Sequence, residues 1–382
     1  MSIAILSTVT GNGHNSVMYS LADKFRELQY EVDCYPTFYE ELMTSNKILS
    51  GFYNFLMTNS IQLCCKFSEF SAMTRPDLST DFYEGVYQKI VDFIVSNPQI
   101  DCFISTSHTL NYAFMQILAE LKVKKNYYIV ITDPYHPISV GFAVPGATRY
   151  FCANEVVRDI LIKSKIDSQL ISVTGYPINA KYSVIKDNAM LYKEVGLDPN
   201  KKTIMINSGS QGIYHYMDIL KKVYLTFELS YQYIFICGKN EQLYNLVSRF
   251  SKKNNMENNL HICKFVNNME DLLNISDLVI TKAGANSFYE TLYMGIPIII
   301  DGVNDFLYQE KGVKDFIVKY KVGQILSNTE AVNVVINDIF DNYESYKNNI
   351  KNMHIQNGVS PIAKEIVNQL NEAMRLNLMQ IN

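Results

Sequence analysis

The sequence predicts an α/β protein of two Rossmann-like, doubly wound domains facing a central cleft, and three observations predict it. Short apolar runs that read as strands alternate with amphipathic helical stretches, which implies parallel sheets covered on both faces. The alternation restarts after Gly175-Tyr-Pro-Ile-Asn179. At 382 residues the chain exceeds one typical core and fits two domains of roughly 150 to 200 residues. The expected bounds are 1–180 and 181–360, with a C-terminal helix over 361–382 packing back on the first domain.

The first half opens with a strand at Ile3 to Ser7, a Gly-rich turn at Thr10 to His14, and a helix with Val17, Leu21, Phe25 and Leu28 on one face. A strand near Val32 to Tyr35 and an aromatic helical region over 38–70 follow. Next come a helix at Tyr83 to Ser96, a strand at Cys102 to Ser105, a helix at Leu110 to Leu121, and strands at Tyr128 to Thr132 and Tyr150 to Ala153. In the second half a strand at Ile204 to Asn207 leads into Ser208-Gly-Ser-Gln-Gly212, and a strand at Tyr233 to Cys237 leads into Gly238-Lys-Asn240. His261 to Phe265 reads as a strand and Met269 to Asn274 as a helix. Two such domains make a cleft between the C-terminal edges of their sheets, where doubly wound folds bind ligands.

Charge is mild, with 34 Lys+Arg against 38 Asp+Glu. No broad basic field exists to hold nucleic acid. The seven cysteines are dispersed, without CxxC spacing, and read as reduced core residues. The start of the chain lacks the pattern of a signal peptide, and no run approaches 18 apolar residues. A cytoplasmic protein is expected.

The richest segment is Asp277 to Asp301, a strand, a small-residue loop, a helix and a returning strand. Ala283, Gly284 and Ala285 let a ligand approach the backbone, and Ser287 is expected to open a helix whose free amides suit phosphate. Gly295 stops that helix. Glu290 shares a face with Asn286 and Ser287, where a carboxylate suits the two hydroxyls of a ribose. An ordinary βαβ turn with a solvated glutamate is the competing reading. Ser208, Gly209, Ser210 and Gln211 offer a second nest of amides for a diphosphate, with Gly238 at the next strand end. Phe265 and Val266 end a strand where backbone groups meet a base edge, and Gln309 and Glu310 lie in a loop within reach of sugar hydroxyls.

Gly11-Asn-Gly13-His14 sits between the first strand and the first helix. A neutral imidazole there suits a general base for an acceptor hydroxyl. A histidine bonded locally at the helix start is the structural alternative. A third reading is a degraded dinucleotide fingerprint, with Glu31 or Asp33 as its acidic residue. Asp133 and His136, in Thr132-Asp-Pro-Tyr-His136, are expected to face the same cleft and bind the acceptor together with Gly13. They are too few to hold a metal, and no Asp-x-Asp is positioned to bridge a diphosphate, so no metal ligand is expected.

The ordered set Gly11-x-Gly-His14, Thr132-Asp-x-x-His136, Val173-Thr-Gly-Tyr-Pro-Ile178, Gly238-Lys-Asn240, Asp277-Leu-Val-Ile-Thr-Lys282 with Gly284 and Glu290, Gly295-Ile-Pro297 and Gln309-Glu310 resembles one known family. It is similar to the monogalactosyldiacylglycerol synthases and processive diacylglycerol glucosyltransferases of glycosyltransferase family 28, which also holds the MurG-type enzymes. The resemblance covers roughly residues 1 to 330. It implies a GT-B fold, a UDP-hexose donor in the C-terminal domain, an acceptor in the N-terminal domain, and inversion at the anomeric carbon without a catalytic metal or other cofactor. Carried over, His14 matches the acceptor-site histidine, Glu290 the ribose ligand, and Gln309 and Glu310 the sugar-reading loop. The chain departs from the family pattern at Val9, where an aspartate is common, at Lys282-Ala-Gly-Ala285 in place of Lys-Pro-Gly-Gly, and at Tyr308-Gln-Glu310 in place of Gly-Gln-Glu.

The resemblance implies diacylglycerol or a related lipid as acceptor, and residues 38–70 match an aromatic insert that docks such enzymes on membranes. That would place the protein peripherally on the inner membrane face. A soluble metabolite or peptide acceptor fits the acidic balance better. A UDP-sugar 2-epimerase and an inactive nucleotide-sugar-binding partner are the alternative functions. Oligomeric state is left open by the sequence.

Overall fold

Each half of the chain is built on its own six-stranded, wholly parallel sheet in the computed structural model, which describes residues 1–184, 186–227 and 230–381. The first half runs β1 (Ser2–Leu6), α1 (Gly13–Glu27), β2 (Glu31–Tyr35), α2 (Phe38–Leu42), α3 (Thr44–Asn59), α4 (Ile61–Thr74) and α5 (Thr80–Ser96). It continues through β3 (Ile100–Ser105), α6 (Asn111–Glu120), β4 (Asn126–Val130), β5 (Arg149–Cys152), α7 (Glu155–Lys163) and β6 (Ile171–Val173). The second half runs α8 (Asn188–Val195), β7 (Thr203–Asn207), α9 (Tyr216–Phe227), β8 (Gln232–Ile236), α10 (Glu241–Lys253), β9 (Leu260–Cys263), α11 (Met269–Asn274) and β10 (Leu278–Thr281). It ends with α12 (Ala285–Tyr293), β11 (Ile298–Asp301), α13 (Val313–Tyr320), β12 (Gly323–Leu326), α14 (Val332–Asp341), α15 (Tyr343–Asn352) and α16 (Val359–Ile381).

The strand order is β2-β1-β3-β4-β5-β6 in the first sheet and β12-β11-β10-β7-β8-β9 in the second. Each order reverses once, between β1 and β3 and between β7 and β10. At such a reversal the two loops leaving the strands diverge to opposite faces and leave a crevice at the carboxyl ends. Inner strands such as β1, β7 and β8 are buried along their whole length and read as near-continuous apolar runs because both faces are covered, whereas the edge strand β2 is partly exposed. Ile3 and Ile5 join the core cluster around Val17, Leu21 and Phe25, while Ala4 and Leu6 join the other around Phe38, Ile90 and Phe114.

α16 lies against α1, and its Glu365 pairs with Arg149 of β5 at 2.8 Å and accepts from Ser172 of β6 at 2.9 Å. The chain that leaves the second sheet thus returns to the first. At the crossing, Asn357 clasps the backbone of Ile178 through both amide atoms, at 3.1 and 2.6 Å.

Some element ends differ from those the sequence suggests. β9 stops at Cys263 and not at Phe265, so Phe265 and Val266 lie in the loop beyond it. α12 begins at Ala285 behind Gly284 as its N-cap and not at Ser287. The Ser287 hydroxyl is drawn instead to the Asn207 amide at 3.4 Å, so it makes no cap. The region over 38–70 is three helices, α2 to α4, and α3 and α4 form a pair. One side packs Leu56, Met57, Cys64 and Cys65 on Leu307 from the second half. The other side exposes Ile48, Phe52, Phe55, Phe70 and Met73.

Candidate active site

Both reversals open on one cavity of about 520 Å³ between the two sheets. From the first sheet it receives the turn after β1 with Gly13 and His14, and the segment after β4 with Asp133. From the second it receives two groups: Ser208 to Gln211 with Gly238, and Gly284 to Ser287 with Glu290. Phe265, Val266, Gln309 and Glu310 complete its second-sheet wall.

Two expected site residues fall elsewhere. Ala283 is buried in the apolar core under the loop, because it directly follows the buried β10 and Lys282. His136 is exposed and lies outside the cavity wall; the chain bends away after Asp133, and the His136 carbonyl packs on Gly312. Glu31 and Asp33 are exposed on the edge strand β2, and neither lines the cavity that receives the Gly11 turn, which gives the dinucleotide reading no acidic partner there.

His14 is not bonded locally. Its Nδ1 lies 2.8 Å from the carbonyl oxygen of Thr106, at the end of β3, and 3.0 Å from the Thr132 hydroxyl. A carbonyl only accepts, so Nδ1 carries the proton and Nε2 is left as the basic nitrogen. Burial holds the imidazole below its usual pKa, with Asp133 pulling against that effect. Asp133 is itself raised by burial, opposed by its bond from the Ser139 amide at 2.7 Å and by His14. Desolvation dominates both, and each charge would ease the other.

On the second sheet, Asn207 organises both small-residue turns. Its Oδ1 accepts from the Gly209 amide at 3.0 Å while its Nδ2 reaches Ser287. The turn after β8 interlocks with the first, the Lys239 amide donating to the Ser210 carbonyl at 2.9 Å. Gly238 is obligatory there: its φ is +57°, and a Cβ would meet the Gly209 carbonyl oxygen at 2.4 Å. The Ser208 and Gly209 amides are taken by the Ile236 carbonyl and Asn207 Oδ1, while Ser210, Gln211 and the first turn of α12 line the same cavity, where free amides suit an anion.

Sequence reasoning missed the cations of this site, Lys181 and Lys282. Lys282 lines the cavity beside Gly209 and Gly284 and stands 3.6 Å from Glu310. Its position in the motif was visible, but a lysine at a strand end is most often solvated. Tyr182, from the crossover, was also missed; it donates to Glu290. Burial raises Glu290 to about 7, against the pull of Tyr182 and Lys181. Tyr53 and Met57 of α3 line the same cavity.

The two halves touch around the cavity. Asn286 donates to the Gly13 carbonyl at 3.3 Å and accepts from Tyr176. Ser68 of α4 donates to Gln309 at 3.2 Å, and Glu69 pairs with Lys311. Among the described residues no group of three or more His, Cys, Asp and Glu is arranged to hold a metal ion, and no helix is long and apolar enough to cross a membrane.

Comparison with known proteins matches two separate stretches of the chain. Residues 14–178 match the monogalactosyldiacylglycerol (MGDG) synthase family and residues 203–366 the glycosyltransferase family 28 C-terminal domain. A processive diacylglycerol beta-glucosyltransferase of Bacillus pumilus is 24% identical over 379 residues, 96% of this chain and 94% of that protein. One from Staphylococcus aureus is 24% identical over 362 residues, covering 92% and 88%. In three dimensions, MurG of Acinetobacter baumannii superposes with a TM-score of 0.61 at 13% identity over 96% of this chain and 99% of its own. That likeness identifies the fold as GT-B.

Proposed function

From its two halves, one matched to the MGDG synthase family and the other to the glycosyltransferase family 28 C-terminal domain, we infer that this chain is a family 28 glycosyltransferase and moves a hexosyl group from a UDP-sugar to a hydroxyl of diacylglycerol or a related lipid. One observation carries the reading: a single cavity joins the basic Nε2 of His14 to two amide turns, Lys282 and Glu290. The acceptor oxygen attacks C1 of the hexose while Nε2 takes its proton. The bond from C1 to the β-phosphate oxygen breaks with its electron pair on the phosphate, whose charge the amides and Lys282 receive. Because attack comes from the His14 side and UDP leaves toward the second sheet, the anomeric carbon inverts. Glu290 takes the ribose hydroxyls, and Gln309 and Glu310 meet the sugar.

The lipid acceptor is supported by the relatives and by α3 and α4, whose exposed Phe52, Phe55, Phe70 and Met73 lie on the outside of the helix pair that covers the acceptor end. We take that face to rest on a membrane surface. Incubation with UDP-glucose, UDP-galactose and UDP-N-acetylglucosamine on diacylglycerol vesicles, read by mass spectrometry, should give a monoglycosylated lipid. Transfer to no lipid, with a new sugar nucleotide formed from UDP-sugar alone, would replace this reading by a 2-epimerase.

A further inference from the structure

Glu40, in α2, is a buried carboxylate with 8% exposure that pairs with no cation in any ion pair described for this chain. Its Oε1 accepts from the Thr8 hydroxyl at 2.6 Å, the Ser50 hydroxyl at 2.6 Å and the Val9 amide at 3.2 Å. Its Oε2 has no hydrogen-bond partner. Burying a carboxylate without a counter-charge is unfavourable, and hydroxyl donors offset only part of that. An amide side chain would satisfy the same donors through its oxygen at far lower cost. Something at this place therefore uses the charge.

The Thr8–Val9 backbone that Glu40 holds leads directly into the Gly11 turn and His14. Asn54 of α3 completes the grip, accepting from the Gly11 amide at 3.1 Å and donating to the Val9 carbonyl at 3.1 Å. The base is thus set by side chains of α2 and α3, not by the glycine turn alone. His14 itself contacts no carboxylate, because Nδ1 is committed to Thr106 and Thr132. The titratable groups facing it are Asp133 from the β4 end, Glu40 from α2, and His108, whose ring centre is 5.9 Å away and which burial holds neutral. Burial opposes the protonated imidazole, and both carboxylates favour it.

We propose that Glu40 is a positioning residue for His14, holding the turn that carries it through Oε1 and sustaining the basicity of Nε2 through its uncompensated charge. The inference rests on the glycosyltransferase reading for its kinetic consequence only. When His14 takes the acceptor proton it becomes a cation in a buried site, and Glu40 supplies a fixed negative charge that needs no rearrangement.

The test is Glu40→Gln, which keeps an oxygen for the three donors and removes the charge. The expected result is unchanged UDP affinity, kcat reduced about tenfold, and the acid limb of the kcat profile moved to lower pH, since a weaker base deprotonates earlier. Titration of the six histidines by NMR should show the same downward movement of His14 without any turnover. Thr8→Val keeps the charge and removes one bond, and should leave that titration in place. A His14 titration identical in wild type and Glu40→Gln overturns the proposal, as does a Thr8→Val shift of equal size. If Glu40→Gln fails to fold, Ser50→Ala with Thr8→Val keeps the test: a shifted His14 in that charge-retaining variant overturns it, an unshifted one supports it. Wild-type protein that transfers no sugar but shows the NMR shift would sink the enzymatic reading and leave Glu40's effect on His14 standing.

Discussion

The Nδ1 of His14 and the carbonyl oxygen of Thr106 stand 2.8 Å apart across 92 residues of sequence, and this contact fixes which nitrogen of the imidazole is basic. It exists because β1 and β3 are neighbours at the reversal of the first sheet, which brings the turn after one beside the end of the other. Replacing His14 with alanine should lower kcat by about 100- to 10,000-fold, the usual worth of a positioned base. UDP affinity, measured by calorimetry, should stay within about twofold, since no first-sheet proton is needed for nucleotide binding.

Glu290 should make donor binding depend on pH. Burial raises it from 4.5 to about 7, and only the ionised form accepts from both ribose hydroxyls. UDP affinity is therefore expected to rise as pH increases through about 7, and Glu290→Gln should bind weakly with no such rise. Isothermal titrations between pH 5.5 and 8.5 check both, taking about one unit either side as the decisive range.

The same group has a stability consequence. Its folded pKa lies above the unfolded value, so the native state holds the proton more tightly. Stability contributed by protonation is complete below about 4.5 and is lost as pH rises through about 7. The Glu290→Gln variant should melt a few degrees higher than wild type at pH 8 and almost level with it at acid pH, on the scale of roughly 4–8 °C per kcal/mol for small domains and less for large ones. Equal melting at both pH values would contradict the burial argument.

Lys282→Met keeps the length of the side chain and removes the cation that lines the cavity beside Gly209 and Gly284. Loss of one charge-assisted contact to a diphosphate should weaken UDP about tenfold or more. Uridine, which carries no phosphate, should bind the variant as it binds wild type, and a competition assay with both ligands separates the two effects.

Gly238→Ala forces a side chain into a backbone conformation of φ +57° and against the Gly209 and Ser210 carbonyl oxygens at 2.4 and 2.6 Å. The interlocked turns must part, at a cost on the order of 1–3 kcal/mol. A lower melting temperature together with lost UDP binding is expected, while His14 titrates as before.

The pair Phe52→Ser and Phe55→Ser tests the membrane face. Both rings are about half exposed, at 47% and 59%, and Phe52 stands edge-on to Phe67 with ring centres 5.7 Å apart, so their removal should lower the melting temperature only slightly and leave UDP affinity untouched. Sedimentation with diacylglycerol-containing vesicles should fall at least tenfold, since each buried aromatic contributes roughly 1.5–3 kcal/mol. Vesicle binding equal to wild type would place the lipid contact elsewhere.

Much of this architecture is legible in the chain. Alternation of apolar runs with amphipathic helices is a local signal, and β10 and α11 fall where the pattern puts them. The small-residue turns stand out because only glycine suits a position such as 238. Where the reading slipped, a longer-range partner decided. Ser287 does not cap α12, because Asn207, eighty residues earlier, takes its hydroxyl. His136 belongs to a motif with Asp133, yet the chain turns outward between them and one lines the cavity while the other does not.

The sequence by itself determined the two α/β halves, the turns that can approach a phosphate, and the histidine and glutamate available for chemistry, because spacing along a helix or strand dictates which neighbours share a face. Only the tertiary structure decided what those residues become. Thr106 leaves Nε2 as the basic nitrogen of His14, Glu40 of α2 grips the turn where Val9 carries no charge of its own, and Tyr182 of the crossover meets Glu290. These partners are set by the order in which strands join a sheet, and burial away from water then sets their charge. Neither is written in any local stretch of the chain.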